Sequence, residues 1–159
     1  MRTFALATPL LAAALAAGLA APAEAQEFQL RAGVDVRPLV AFNTKSGDAI
    51  TIADLGFLGI HVAPGLRIAR VLSFEVAVTP LIPIVGGGDF AVLAAPGVTV
   101  DLQLAYLRGS VPINITKEPS VFFEVAGGLS FMGHGYIGAL ADFDTNGLLM
   151  LGAEVGYKF

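Results

Sequence analysis

The chain has 159 residues, with nine Lys and Arg against thirteen Asp and Glu, a formal net charge of −4 and no cysteine. This mild acidity gives no reason to expect nucleic acid as a partner, and the lack of cysteine excludes disulfides and thiolate metal sites. Hydrophobic residues make up 55% and charged residues 14%, whereas soluble globular domains carry roughly 25% charged residues.

The first 25 residues have the pattern of a secretory signal peptide. Arg2 provides a positive start, an Ala- and Leu-rich apolar run covers residues 4–21, and Ala23-Glu24-Ala25 fits the small-x-small cleavage site. A retained membrane anchor is disfavoured, because the run contains prolines and has an Ala-rich core. We therefore expect cleavage after Ala25, which leaves one domain over residues 26–159.

The predicted domain has no apolar run of the ~18 residues that a membrane-spanning helix needs. Its first segment instead alternates strictly, as a β-strand with two different faces does. The apolar face carries Phe28, Leu30, Ala32, Val34 and Val36, and the other face carries Gln29, Arg31, Gly33, Asp35 and Arg37. The same parity continues past Pro38 to Phe42, so we predict one long strand followed by a polar turn at 43–49.

The later segments repeat this two-faced pattern. We predict further strands over about 50–62, 72–84, 98–104, 107–115, 121–131, 136–143 and 148–159. The predicted turns are at 63–71, 85–97, 105–106, 117–120, 132–135 and 144–147. An irregularity is expected at Gly56, and the facing of 136–143 is ambiguous. Residues 90–96 belong either to the loop at 85–97 or to the beginning of the next strand. Since about eight strands are joined by short hairpins, the fold class predicted is an all-β, closed, antiparallel up-and-down barrel.

The polar faces carry ionisable residues of both signs. We predict that they form a charge network in the lumen, made of Arg31, Asp35, Arg37, Glu75, Asp101, Arg108, Glu124 and Glu154, with His61 as a further candidate. Eight strands leave an interior only just wide enough for side chains. Because buried charges are tolerable when they are paired, we favour a plug of ion pairs over a conduit or ligand cavity.

The last strand ends in Val155, Tyr157 and Phe159, which share one face. A closing strand of this kind resembles the C-terminal signal of small bacterial outer-membrane β-barrels of the OmpA-transmembrane or OmpX type. The resemblance implies a transmembrane barrel in the outer membrane of a Gram-negative cell. It also implies outer-membrane lipid as a partner and a barrel-assembly machinery that reads these three residues.

The sequence leaves three functions open. The first is an integral outer-membrane barrel, monomeric and structural or narrow-pore, without catalysis or cofactor. The second is a soluble exported ligand-binding barrel similar to lipocalins, which would need its apolar face inside. The third is an outer-membrane lipid-modifying enzyme, although neither His61 nor His134 has a serine two residues on. Two separated histidines do not predict a zinc site, and residues 144–155 lack the final Glu of a calcium loop.

Overall fold

The alternating segments form extended chain, because β-branched and aromatic side chains on one face of a pleated strand pack well against their neighbours. The structure is a computed structural model that describes residues 27–51, 54–69, 71–116 and 120–159. Over these residues the strands are β1 (Glu27–Asn43), β2 (Ala49–Thr51), β3 (Gly56–Ala69), β4 (Leu72–Val85), β5 (Ala91–Asp101), β6 (Ala105–Ser110), β7 (Ile113–Asn114), β8 (Phe122–Phe131), β9 (Gly135–Asp144) and β10 (Leu148–Lys158).

The strands form one closed sheet. They pair antiparallel in the order β10-β9-β8-β6-β5-β4-β3-β1, and β1 also pairs with β10. The short β2 extends the wall beyond β3 along β1, and the short β7 extends it beyond β6 along β5. The wall therefore has eight strand positions. This confirms the predicted fold class, an all-β, up-and-down, antiparallel barrel closed on itself.

The seam between β1 and β10 contains an irregularity. Val36 lies opposite Ala153, but Val40 lies opposite Leu151, so β1 has two more residues than its partner over this step. An even number of extra residues preserves the alternation of faces. The apolar face of β1 therefore continues to the exposed Phe42, as the sequence predicts.

The turn predicted to begin at residues 63–65 is wrong. β3 continues through Pro64 and Gly65, and the chain reverses only between β3 and β4. Pro64 lies opposite Leu30 on the outward face. Gly65 lies so close to β4 that a Cβ atom there would contact the carbonyl oxygen of Phe74. The Pro-Gly pair is a strand feature that allows close approach rather than a turn.

Two other predicted reversals differ from the observed ones in length or in position. The loop predicted over 85–97 is shorter, since β5 begins at Ala91. The reversal predicted at 105–106 lies at 102–104, where Gln103 has a φ of 61°, and Asp101 pairs with Tyr106. The second predicted strand is divided into β2 and β3, and a register shift lies at Gly56, where an irregularity was expected.

The β2–β3 connection carries a local hydrogen-bonded turn. The backbone N–H and the hydroxyl of Thr51 both donate to Asp54 Oδ2, each at 2.9 Å. These bonds, the backbone bond first, lower the pKa of the Asp54 carboxyl from its usual value. The predicted signal peptide and residues 117–119 of a predicted turn lie outside the described residues. In the part of the chain that is described, no helix is long and apolar enough to cross a membrane.

Candidate functional site in the barrel lumen

The alternation of each strand directs its ionisable residues into the lumen. The buried polar and charged residues at inward positions are Gln29, Arg31, Asp35, Arg37, His61, Ser73, Glu75, Thr79, Thr99, Arg108, Ser110, Glu124, Asp142, Glu154 and Lys158. Buried ionisable groups are tolerated when opposite charges and hydrogen bonds satisfy them. The next question is therefore which carboxylates and hydroxyl groups each buried arginine contacts.

Arg37 on β1 binds three carboxylates from three strands. Its Nε donates to Asp35 Oδ1 at 2.7 Å, and its Nη1 donates to Glu124 Oε2 at 2.9 Å and to Asp142 Oδ2 at 3.0 Å. All four side chains are almost completely buried. One guanidinium thus links β1, β8 and β9 across the lumen.

Arg108 on β6 is the second centre of the same cluster. Its Nη2 donates to Glu124 Oε1 and to Glu154 Oε2, both at 2.9 Å. Ser110 donates to Glu124 Oε1 at 2.8 Å, and the Tyr106 hydroxyl donates to Glu154 Oε1 at 2.6 Å. Glu124 therefore bridges the two arginines and connects β8 to β1 and β6.

A second group lies around Arg31 and Tyr136. Arg31 Nη2 donates to Glu75 Oε1 at 2.5 Å, and Thr99 Oγ1 donates to the same oxygen at 3.0 Å. The guanidinium carbon of Arg31 lies 5.3 Å from the centre of the Tyr136 ring. His61 joins this group to the first, with Nε2 at 2.5 Å from the Tyr136 hydroxyl and Nδ1 at 3.4 Å from Asp35 Oδ2.

The eight residues predicted for the charge network all lie on the lumen side, in more than one group. The Arg37–Arg108 cluster contains Asp35, Glu124 and Glu154, and the pair of Arg31 with Glu75 lies beside Tyr136. Asp101 is separate, because it pairs with Lys158 at the end of the barrel that holds both chain termini of the described domain. His61, the further candidate, is buried between these groups.

The sequence interpretation missed Tyr106, Tyr136, Asp142 and Lys158 as members of these groups. Residues directly opposite each other on antiparallel strands share a face. Asp101 lies opposite Tyr106, and Glu124 lies opposite Asp142. Because Asp101 and Glu124 were both placed on inward faces, exact registers between the strands would have placed Tyr106 and Asp142 in the lumen.

Glycines on the inward faces make room for the large side chains. A Cβ atom at Gly138 would contact the Tyr106 hydroxyl, and one at Gly156 would contact the Tyr136 hydroxyl. A Cβ atom at Gly59 would lie 2.5 Å from both carboxylate oxygens of Asp35. The lumen is therefore packed by pairing a small residue on one strand with a large polar residue on another strand.

The middle of the lumen is almost completely filled. A cavity of about 10 Å³ remains among the side chains of Arg31, Arg37, His61 and Arg108. That volume is about the minimum that one water molecule needs. The paired charges and tyrosines thus close the barrel between its two ends.

The lumen widens and becomes apolar at the loop end. We call this cavity of about 260 Å³ the loop-end cup. Arg37, Asp89 and Asp142 are its charged lining residues, and the others are Phe57, Leu81, Phe90, Ala91, Leu93, Pro112, Asn114, Ser120, Phe122, Leu148 and Met150. The interior is therefore not uniformly polar, since a mostly apolar cup lies above the charged cluster.

Among the described residues, neither histidine is hydrogen-bonded to a serine: His61 contacts Asp35 and Tyr136, and His134 Nδ1 lies 3.1 Å from the Lys158 carbonyl oxygen. Among the described residues, no group of three or more His, Asp or Glu side chains is arranged to hold a metal ion. Comparison with known proteins adds no assignment, since no family model, curated protein or solved structure matches the chain.

Proposed function

We propose that this chain is an integral outer-membrane β-barrel protein with a closed lumen, which serves a structural role and catalyses no reaction. In this proposal residues 1–25 direct export and are removed after Ala25. The mature barrel is a monomer in contact with outer-membrane lipid, and the assembly machinery reads Val155, Tyr157 and Phe159. The observation that carries the proposal is the polarity of the wall.

The outward face of the barrel carries no charge. At outward positions of the described wall strands there is no Asp, Glu, Lys or Arg. Large apolar side chains are strongly exposed there, such as Leu129 at 64%, and Leu107 and Ile137 at 54% each. Continuous apolar surface of this extent is rare on soluble monomers, whereas a lipid-facing barrel requires it.

A soluble binding barrel would need the reverse arrangement. Its outer face would carry the charges and its lumen the apolar side chains. Here three arginines and five carboxylates lie buried inside, in the Arg37–Arg108 cluster and the Arg31–Glu75 pair. The packed middle of the lumen favours a structural barrel over a narrow pore, because the cavity among Arg31, Arg37, His61 and Arg108 has a volume of only about 10 Å³.

Fractionation of cells tests the location. The full chain would be expressed in a Gram-negative host, and the membranes would be washed with carbonate. We expect the mature chain in the washed outer membrane, with an N-terminus at Gln26 and a gel mobility that changes on heating. Recovery of a folded mature chain in the periplasmic fraction would contradict the proposal and favour the lipocalin-like alternative.

A matched pair of substitutions tests directly whether the outward face of the barrel contacts lipid or water. Val121 and Val125 lie on the same face of one strand region, with exposures of 47% and 45%, but Val125 lies near the middle of β8 and Val121 lies at its loop end. In lipid, Arg costs ~2–4 kcal/mol at the midplane and ~0–1 near an interface. We expect Val125→Arg to reduce the folded fraction strongly and Val121→Arg to have little effect. Equal tolerance of both would indicate a water-facing wall.

A further inference from the structure

The loop-end cup combines a mostly apolar wall with a charged floor, which is the composition of a ligand site rather than of a plug. Ligand pockets are concave, largely apolar and equipped with a few polar groups that orient the ligand. The cup has about 260 Å³, roughly the volume of eight or nine water molecules at ~30 Å³ each. It therefore suits a small organic molecule and is too small for a lipid or a peptide.

Asp142 provides a hydrogen-bond acceptor at the charged floor of the loop-end cup. Its Oδ2 accepts from Arg37 at 3.0 Å, while Oδ1 is buried and has no hydrogen-bond partner among the described residues. Buried carboxylate oxygens normally have partners, and one without a partner suggests a site for a donor. A ligand that places an N–H or O–H group at the floor would satisfy it.

The local charge favours a cation over a neutral or anionic ligand. Arg37 and Arg108 together face four carboxylates, Asp35, Glu124, Asp142 and Glu154. The cluster beneath the cup thus has two more carboxylates than guanidiniums. Arg37 is already bonded to three of these carboxylates, so it is poorly placed to bind an anion.

From these observations we propose that the loop-end cup binds a small primary ammonium compound with an apolar body. The ammonium group donates to Asp142 Oδ1, and the apolar body packs among Phe57, Leu93, Phe122, Leu148 and Met150. This inference goes beyond the structural role proposed above. It also does not depend on the membrane assignment, because the cup can be studied in whichever medium keeps the barrel folded.

The mature chain offers a built-in reporter for this test. Of its two methionines, Met150 lines the cup and Met132 lies in the turn between β8 and β9 with an exposure of 94%. Methyl-labelled methionine would be incorporated into the mature barrel in nonionic detergent micelles. The signals of both methyl groups would then be followed by NMR during titration with hexylamine, hexanol or hexanoate.

We expect hexylamine to shift the Met150 signal saturably, to shift the Met132 signal little, and to bind more tightly than hexanol or hexanoate. Asp142→Asn should weaken hexylamine about tenfold, as the loss of a charge-assisted hydrogen bond does. Asp48→Asn removes the same charge from an exposed residue in the loop between β1 and β2, and it should leave the affinity unchanged.

A second variant covers the case in which Asp142→Asn fails to fold. Ala91 lines the cup, so Ala91→Phe should fill it and abolish the Met150 response to hexylamine and hexanol. Any of the following results would overturn the proposal: no saturable Met150 shift in the unmodified protein, tighter binding of hexanoate than hexylamine, or an affinity that Asp142→Asn and Asp48→Asn change equally. Equal shifts of Met150 and Met132 would show partition into the micelle only, and would also overturn it.

Discussion

Glu124 joins the two arginines of the Arg37–Arg108 cluster. It accepts from Arg37 through one oxygen, and from Arg108 and Ser110 through the other. Since removing one partner of a buried ion pair leaves an uncompensated charge, the cost is far larger than the net value of the pair. An exposed ion pair, in contrast, contributes little to the stability of the barrel, because water screens both charges.

Glu124→Gln should therefore destabilise the barrel by about 3–5 kcal/mol, because two buried guanidiniums lose their shared carboxylate. The matched control is Glu27→Gln, since Glu27 lies 3.9 Å from Arg67 at the barrel end and has a side-chain exposure of 78%. We expect at most ~1 kcal/mol for that control. Urea titration of the folded barrels in lipid vesicles, followed by the gel mobility of the folded form, measures both. Equal midpoints for the two variants would contradict this assignment.

The glycines of the wall differ in how much space a larger side chain would have at each position. A Cβ atom at the inward Gly138 would contact the Tyr106 hydroxyl and the backbone of Gly127, whereas a Cβ atom at Gly109, on the outward face of β6, would have no atom within 4 Å. The two glycines therefore differ in their surroundings and not in residue type. This makes them a matched pair.

Gly138→Ala should destabilise the barrel by roughly 1–3 kcal/mol, because overpacking moves Tyr106 away from Glu154. Gly109→Ala should be neutral or slightly stabilising, since it reduces the freedom of the unfolded chain without a clash. The same urea titration distinguishes them. A Gly109→Ala variant as unstable as Gly138→Ala would show that backbone freedom matters more than packing at these sites.

At the level of elements, the closing strand β10 has two separable roles. The backbone of β10 and of Phe159, which follows it, completes the barrel, since the Phe159 N–H donates to the Leu30 carbonyl at 2.8 Å. The Phe159 side chain is 68% exposed, and its ring lies 4.9 Å from the Tyr157 ring, centre to centre. A side chain that packs against so little contributes little to the stability of the finished barrel.

Phe159→Ala should thus lower the yield of assembled barrel in cells while leaving the unfolding midpoint of the purified barrel nearly unchanged. The control is Phe28→Ala, because Phe28 lies on the neighbouring β1 at the same end and is 69% exposed. Comparison of outer-membrane yields with urea midpoints separates recognition from stability. If Phe28→Ala lowers the yield as much as Phe159→Ala does, the C-terminal position has no special role.

The strands themselves could be predicted, whereas their exact ends could not. Alternation over β1, β4, β8 and β10 sets both the strand and the residues that share a face, because a one-residue slip would move every side chain to the other face. Pro64 and Gly65 were misleading, since a residue pair typical of turns also fits an outward strand position next to a close neighbour. The facing of β9 remained open, because Ala and Gly at alternate positions give no contrast in polarity.

The loop-end cup could not be predicted from alternation either. Its lining combines residues of eight strands, β1, β3, β4, β5, β7, β8, β9 and β10, with loop residues. A strand pattern tells which face a residue occupies, but not how far along the barrel axis it lies relative to residues on other strands. That height depends on the registers between strands, and small errors in turn position change it.

For the molecule as a whole, the filled middle of the lumen predicts a barrel that does not conduct ions. The rings of Tyr106 and Tyr136 pack edge to face there, with centres 5.3 Å apart, and the cavity beside the arginines has about 10 Å³. The unmodified barrel in a planar lipid bilayer should give no conductance steps. Tyr106→Ala combined with Tyr136→Ala should open steps, because removing two buried rings empties the space between the loop-end cup and the opposite end. Tyr157→Ala removes the same side chain from the outward face and should stay silent. Only barrels with the heat-dependent gel mobility of the folded form would be compared, and steady conductance by the unmodified barrel would show that the paired charges line a pore.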